Sequence, residues 1–262
     1  MDLGLKDKVA LVTAASRGIG AAAAHELAAE GARVVISARN MDTLKPVAEK
    51  IASDTAGSVI PIVADNTDPA AIEHLVKRTE AELGPIDILV NNSLGPAAAR
   101  FSEISDEDWH RAIDVKLMAQ IRQARAVFDG MVSRGGGRII NIAGTHARFA
   151  HAFAITAGIV NTALLSLTKA LAEEGAPAKV LVNAINPGPI ETERMRYMCE
   201  SKSKIEGISV EKARHDLVSE TLLKRFGEPK EVGALVAFLA SGRASFMTGG
   251  CIEVDGGLIR VI

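Results

Sequence analysis

The chain has 262 residues, 48% hydrophobic and 24% charged, which is enough apolar material for one α/β domain with a substantial core and excludes a disordered chain. A net charge of −2 at pH 7 supplies no general attraction to nucleic acid, so no nucleic-acid partner is expected. The two cysteines, Cys199 and Cys251, lie far apart without metal-ligand spacing, and reduced thiols with no metal site are expected.

Residues 1–7 carry no basic-then-apolar leader, and no apolar run continues uninterrupted over the length that spans a bilayer. A cytoplasmic protein with no membrane partner is therefore expected. The apolar run 9–12 predicts a buried first strand. A small-residue turn follows, from Thr13 to Gly20, and an Ala-rich helix begins near Gly18. Strand, glycine turn, helix is how an open α/β sheet offers helical N–H groups to a phosphate. Glycine serves where the backbone turns sharply or must approach a pyrophosphate without a Cβ. A second strand is predicted over 32–37, followed by a helix near 41–54. The third strand, 58–63, ends in Ala64, Asp65 and Asn66. The next helix follows Pro69 and stops at Gly84 and Pro85, and the fourth strand, 86–90, ends in Asn91 and Asn92. A loop rich in Gly, Pro and Ala leads to a long helix from 106 to about 131. Gly135, Gly136 and Gly137 break it before the fifth strand, 138–142. Another long helix, near 152–174, precedes a sixth strand over 180–185. A polar segment from 191 to about 227 interrupts the pattern, and a helix over 230–239 and a last strand over 251–254 close it. Such alternation predicts a parallel α/β sheet of about seven strands with helices on both faces, joined by right-handed crossovers.

The turn beginning at Thr13 and ending Arg17-Gly18-Ile19-Gly20 resembles the nucleotide-binding turn of the short-chain dehydrogenase/reductase family, whose usual form is Thr-Gly-x-x-x-Gly-x-Gly. The first glycine of that pattern is Ala14 here. Further matches run the length of the chain: Asp65 after the third strand, Asn91-Asn92 after the fourth, Asn186-Pro187-Gly188-Pro189-Ile190-Glu191-Thr192 after the sixth, and Val254-Asp255-Gly256-Gly257 near the end. The resemblance implies a doubly wound, Rossmann-type fold as one domain over 1–262, with 191–227 in the place of the family's substrate lid. It also implies an oxidoreductase that binds a nicotinamide dinucleotide, acts on a small-molecule substrate, and assembles as a homotetramer or homodimer. The helices near 106–131 and 152–174 resemble those that pair between subunits, and Ala163, Ala170 and Ala172 would permit close helix approach.

In an open α/β sheet the ligand lies beyond the carboxyl ends of the strands. Thr13, Ser16, Arg17, Gly18, Ile19, Gly20, Arg39, Asp65, Asn66, Asn91, Pro187, Gly188, Ile190 and Thr192 fall there or just after, and are the candidate cofactor-binding residues. NAD-preferring members of the family place a carboxylate at the end of the second strand, where this chain has Ala38 and then Arg39. An arginine fork cannot accept from a ribose hydroxyl but pairs with a 2′-phosphate. Arg39 and Arg17 thus favour NADP(H) over NAD(H), the alternative being two solvated arginines. Asp65 resembles the acid that accepts from the adenine amino group, or it caps the following helix. The stretch Asn91-Asn92-Ser93-Leu94-Gly95 departs from the usual Asn-Asn-Ala-Gly. Pro187, Gly188 and Thr192 resemble the elements that receive the nicotinamide side; a structural turn is the other reading of Pro187.

Members of this family use a Tyr as acid/base, a Lys four residues later that lowers its pKa, a Ser that orients the carbonyl, and an Asn on the preceding long helix. A free tyrosine, with a pKa of about 10, exchanges protons poorly at neutral pH. Registered without a gap on the strand 138–142 and on Leu167-Thr168-Lys169-Ala170-Leu171-Ala172, the Ser position falls on Gly144, the Tyr position on Ala157 and the Lys position on Asn161. Lys116 stands where the Asn would be. No shift restores the pair: Lys169 has Leu165 four residues before it, and the only tyrosine is Tyr197. Near the same pocket remain Thr145, His146, His151, Thr156 and Asn161. Of these, His146 or His151 is the candidate proton carrier, with Thr145 and Asn161 as hydrogen-bonding groups; surface histidines are the alternative. Lys116 is either a surface lysine or a buried cation. Arg194, Arg196, Lys202 and Lys204 suit an anionic substrate or a solvated loop. Three functions stay open: a divergent NADP(H) oxidoreductase, a non-redox enzyme such as a lyase, hydrolase or isomerase on this scaffold, and a non-catalytic nucleotide-binding protein.

Overall fold

The strands of the computed structural model, which describes residues 2–93, 95 and 98–260, are β1 (Val9–Val12), β2 (Arg33–Ala38), β3 (Val59–Val63), β4 (Ile88–Asn91), β5 (Gly137–Ile142), β6 (Val180–Pro187) and β7 (Cys251–Val254). They form one seven-stranded sheet in the order β3-β2-β1-β4-β5-β6-β7, every pairing parallel. This is the doubly wound, Rossmann-type α/β sheet that the alternation predicts. Strand order reverses between β1 and β4, and at such a switch point the carboxyl ends of neighbouring strands open a crevice.

The strands are largely apolar because both faces are covered. Along β2, Val34 and Ile36 join one layer with Leu27, Leu44, Val232 and Val236. Val35, between them, joins the other with Leu11, Leu75, Leu89 and Met131. β4 begins at Ile88 rather than at 86, because the Asp87 carboxylate receives the Val9 N–H at 2.9 Å.

Helices α1 (Gly18–Ala29), α2 (Met41–Thr55) and α3 (Pro69–Leu83) follow the first three strands. Asn40 caps α2 through the Asp42 N–H, and Asp68 caps α3 through the Ala70 N–H, each satisfying a helical donor that has no partner in the first turn. The expected single helix from 106 to about 131 is instead α4 (Asp106–Ala112), a π turn (Ile113–Met118) and α5 (Ala119–Ser133). A π turn inserts a residue and rotates the side chains within it. α6 (Ile155–Gly175) buries Val160, Leu164, Thr168 and Ala172, so Ala172 is a core residue and not part of a face free for another subunit. The 155–178 stretch is long and apolar enough to cross a bilayer by length and composition alone, although Lys169, Glu173 and Glu174 interrupt its apolar run; here it is a helix packed on the sheet. The polar segment is helical and not a solvated loop: α7 (Glu193–Glu206) is capped by Thr192 and α8 (Val210–Glu220) by Ser209. α9 (Pro229–Ala240) packs beside α1. Cys199 and Cys251 are free thiols. Leu94 lies outside the described residues.

Candidate functional site

The turn between β1 and α1 is held from below. The buried Thr13 hydroxyl donates to the Asn92 carbonyl at 2.7 Å and accepts the Asn92 N–H at 3.0 Å, while the Asn92 amide donates to Ala14 O at 3.1 Å. These bonds tie the turn to the loop after β4, across the switch point. Gly18 has φ +58°, and a Cβ on Gly20 would stand 2.8 Å from both Ala14 O and the Asn92 Nδ2. Ala14, where the family has glycine, also sits in the left-handed region at φ +48°, a strain of about 1–2 kcal/mol for a residue with a Cβ. The Arg17 side chain makes no capping bond to α1, and no acidic residue occupies the first turn. The head of α1 thus keeps its N–H donors and positive dipole end for an anion, and the residues present fit a dinucleotide pyrophosphate. Ser16 is half-buried in the turn, and Ile19 packs against the core.

Across the turn stands the segment after β6. A Cβ on Gly18 would meet the Thr192 Cγ2 at 3.3 Å, and Thr192 caps α7 through the Met195 N–H at 3.2 Å. Pro187 ends β6, the Gly188 N–H donates to Val254 O at 2.9 Å, and Ile190 is buried. Arg17 pairs with Glu193 of α7 at the exposed rim. Arg39 is exposed after β2. Asp65 accepts from the N–H and the hydroxyl of Thr67, which hold its carboxyl below the usual range, and the Arg39 charge adds to this. Asp65 is not the cap of α3; Asp68 is. Asn66 keeps a buried Oδ1 without a partner. The Asn91 amide turns inward, donating to Gln120 O at 2.8 Å and the Asn141 Oδ1 at 3.1 Å, and the Asn141 amide in turn donates to the Thr168 hydroxyl at 2.9 Å.

At the end of β5, Gly144, Asn161 and Lys116 come close to the same stretch of backbone. A Cβ on Gly144 would lie 2.9 Å from the Asn161 Nδ2, so the Asn161 amide fills the space that a side chain at 144 would use. Asn161 is 5% exposed and its Oδ1 has no partner. Lys116, in the π turn, is 4% exposed. Its Nζ donates to Ile142 O at 2.9 Å and Ala143 O at 3.1 Å. Burial, with the Arg194 charge adding to it, brings its pKa down to about 7. Of the two readings the sequence left open, the buried cation is the one found. Thr145 and Thr156 are buried as well.

His146 and His151 stand elsewhere. Their rings are 6.0 Å apart, and they line an open groove of about 580 Å³ with Ile155, Gly158, Ile159 and Thr162. That i, i+3, i+4, i+7 set is one face of α6, and Asn161 lies on the opposite, buried face. The His146 Nδ1 is 3.3 Å from Phe149 O, and burial pushes its pKa down, so the ring is neutral at pH 7. Of the four basic residues expected to mark the segment 191–227, Arg194 turns toward the site. Its Nε lies 3.5 Å from the position a Gly95 Cβ would take, its guanidinium stacks 5.5 Å from the Tyr197 ring, and its charge acts on both Lys116 and His146. Sequence reasoning missed the π turn and this reach of Arg194; the gap-free register put Lys116 at a site position but carried no signal for its burial.

The family described as enoyl-(acyl carrier protein) reductase matches residues 13–259. The NADPH-dependent reductase BacG of Bacillus subtilis is 35% identical over 259 residues, covering 98% of this chain and 100% of that protein. The 3-oxoacyl-[acyl-carrier-protein] reductase FabG of Escherichia coli is 31% identical over 259 residues, covering 99% and 100%. Among solved structures, the L-sorbose reductase of Gluconobacter frateurii, complexed with NADPH and L-sorbose, superposes with a TM-score of 0.93 at 32% identity over 100% of both chains. With a family match over residues 13–259 and end-to-end matches at these identities, the chain belongs to the short-chain dehydrogenase/reductase family.

Proposed function

We propose that this protein is an NADP(H)-dependent oxidoreductase acting on a small carbonyl or hydroxyl compound, with acid/base residues other than the family's usual set. The observation that carries the reading is the uncapped head of α1 behind a turn in which Gly20 has no room for a Cβ. Arg39, next to the position of a ribose-binding carboxylate, and Arg17, in the glycine turn, support the 2′-phosphorylated dinucleotide. So does the similarity to BacG, named an NADPH-dependent reductase, and to a sorbose reductase seen with NADPH. When bound, the dinucleotide supplies or takes up a hydride. Thr13, Ser16, Gly18, Ile19 and Gly20 would cradle its phosphates, Asp65 and Asn66 its adenosine half, and Pro187, Gly188, Ile190 and Thr192 its nicotinamide side, while the inward-turned Asn91 side chain would support the sheet end from below. Thr145 and Asn161 would orient the substrate oxygen, and His146 or His151 is the candidate proton carrier on the groove side. A cytoplasmic homotetramer or homodimer is the form in which the enzyme is expected to work.

Calorimetry of NADPH and NADH binding tests the reading. NADPH is expected to bind more tightly, and Arg39→Ala to weaken it by about 1.5–3 kcal/mol, the size of one charge-assisted hydrogen bond, with NADH nearly unchanged. Equal losses for both, or binding of neither to the parent, would sink it. The absence of a hydroxyl at Gly144 and Ala157 favours a second reading, a non-redox enzyme on this scaffold. Oxidation of NADPH in the presence of L-sorbose or acetoacetyl-CoA would exclude that alternative.

A further inference from the structure

Lys116 is a buried cation whose hydrogen-bond acceptors are neutral. The π turn carries it to the end of β5, where Nζ donates to Ile142 O at 2.9 Å and Ala143 O at 3.1 Å. An ammonium has three N–H donors, so one remains after both carbonyls are served. One residue further along the same backbone, the Asn161 amide sits against Gly144 with a buried, partnerless Oδ1. Lys116 and Asn161 thus put a spare donor and a spare acceptor at the carboxyl end of the central strands, where a doubly wound sheet binds its ligand. The charge is not neutralised. Among the described residues the charged group acting on Lys116 is Arg194, reaching over from α7, and it repels. The carbonyls of β5 and Asn161 of α6 are uncharged. In the 145–151 loop, His146 feels the same arginine and the neighbouring His151. Its pKa of about 7 leaves ammonium and amine both populated at neutrality.

Resting on the redox reading above, we propose that Lys116 holds the proton that carbonyl reduction consumes. The ammonium gives that proton to the carbonyl oxygen as a hydride reaches the carbonyl carbon. The π pair of the C=O becomes the O–H bond, the N–H pair stays on Lys116 as the amine, and the carbonyl is reduced to the alcohol as the dinucleotide is oxidised. In the reverse direction the amine takes the hydroxyl proton. The physical reason is charge conservation in a buried site. Reduced nicotinamide is neutral and the oxidised ring is a cation, so an ammonium retained through the reaction would face a second positive charge in a medium that screens poorly. Handing the proton over as the ring becomes charged keeps the site at one positive charge throughout. The proton then resides on the inner wall rather than with the histidines of the outer groove.

The test combines lysine ¹³Cε NMR titration of the full chain with calorimetric binding of NADP⁺ and NADPH from about pH 6 to 8.5, a window centred on neutrality. Parent, Lys116→Met and Lys116→Gln are compared. One lysine resonance is expected to titrate near neutrality in the parent and to be absent from both lysine variants. The ratio of NADP⁺ to NADPH affinity should rise several-fold with pH in the parent and stay flat without Lys116. A flat ratio in the parent, a ratio that still climbs without Lys116, or lysines that all titrate above about pH 9 would overturn the proposal while leaving the redox reading intact. Binding of neither dinucleotide would instead overturn the redox reading, and the proposal with it.

Discussion

A buried lysine makes the stability of this fold depend on pH in a defined direction. The folded-state pKa of Lys116 is about 7 against an ordinary 10.5. Between those values the unfolded chain holds the proton and the folded one does not, so stability rises with pH across that window. Below it, the cost of the buried charge is present in full. Urea unfolding of the parent, referenced to Lys116→Met so that other titrations cancel, should show this rise at no more than about 1.4 kcal/mol per pH unit. A difference that stays constant with pH would mean that the lysine keeps an ordinary pKa. At the same scale, Gly20→Ala sets a Cβ 2.8 Å from Ala14 O and 2.9 Å from Ala15 Cα. Backbone atoms cannot swing aside as a side-chain tip can, so a loss of about 1–3 kcal/mol is expected from the overpacking. NADP(H) affinity should fall with it, and unchanged melting and binding would refute the tight turn.

Two elements, α7 and α6, decide how the site is presented. α7 places Glu193 on Arg17 and Thr192 over the glycine turn. An exposed ion pair of this kind contributes little to stability, but it occupies the arginine proposed to meet the 2′-phosphate. Glu193→Gln should therefore leave the melting temperature nearly unchanged and tighten NADPH binding several-fold, with no effect on NADH; weaker NADPH binding would show that the pair orders the turn instead. α6 carries two emptied positions, Ala157 and Asn161. Gly144→Ser, Ala157→Tyr and Asn161→Lys made together would set a second ammonium near Lys116, and like charges disfavour one another there. NADPH oxidation with small ketones is expected only when Lys116→Asn is added. Equal activity of the three-change and four-change variants would show that Lys116 does not act on the site.

At the scale of the whole molecule, the outer face of α6 is one place where apolar groups are uncovered: Ile159 is 53% exposed and Phe149, beside the His151 ring, 42%. Light scattering at micromolar concentration should give a multiple of the 27.5 kDa chain mass. A mass of one chain would refute the expected homotetramer or homodimer. Ala163 and Ala170 can still take part in such contacts, but Ala172 cannot, because it is packed under the sheet.

Local pattern carried the architecture. Apolar runs of strand length separated by amphipathic helices specify a parallel sheet, because only strands covered on both faces can be apolar throughout. Thr13, Gly18 and Gly20 marked the turn, and a gap-free register assigned the family's Ser, Tyr and Lys positions to Gly144, Ala157 and Asn161. The environment of each group was not legible, because it depends on chain segments remote in sequence. Lys116 has a pKa of about 7 because burial strips it of water, and a π turn sets it in that place against carbonyls 26 and 27 residues away. The Asn91 side chain was expected at the nucleotide, yet Gln120 and Asn141 draw it inward. Nor does sequence spacing say which face of α6 a preceding loop will meet; tertiary packing put His146 and His151 against the outer face and Asn161 against the inner one. Periodicity is a property of neighbours in the chain, and desolvation is a property of neighbours in space.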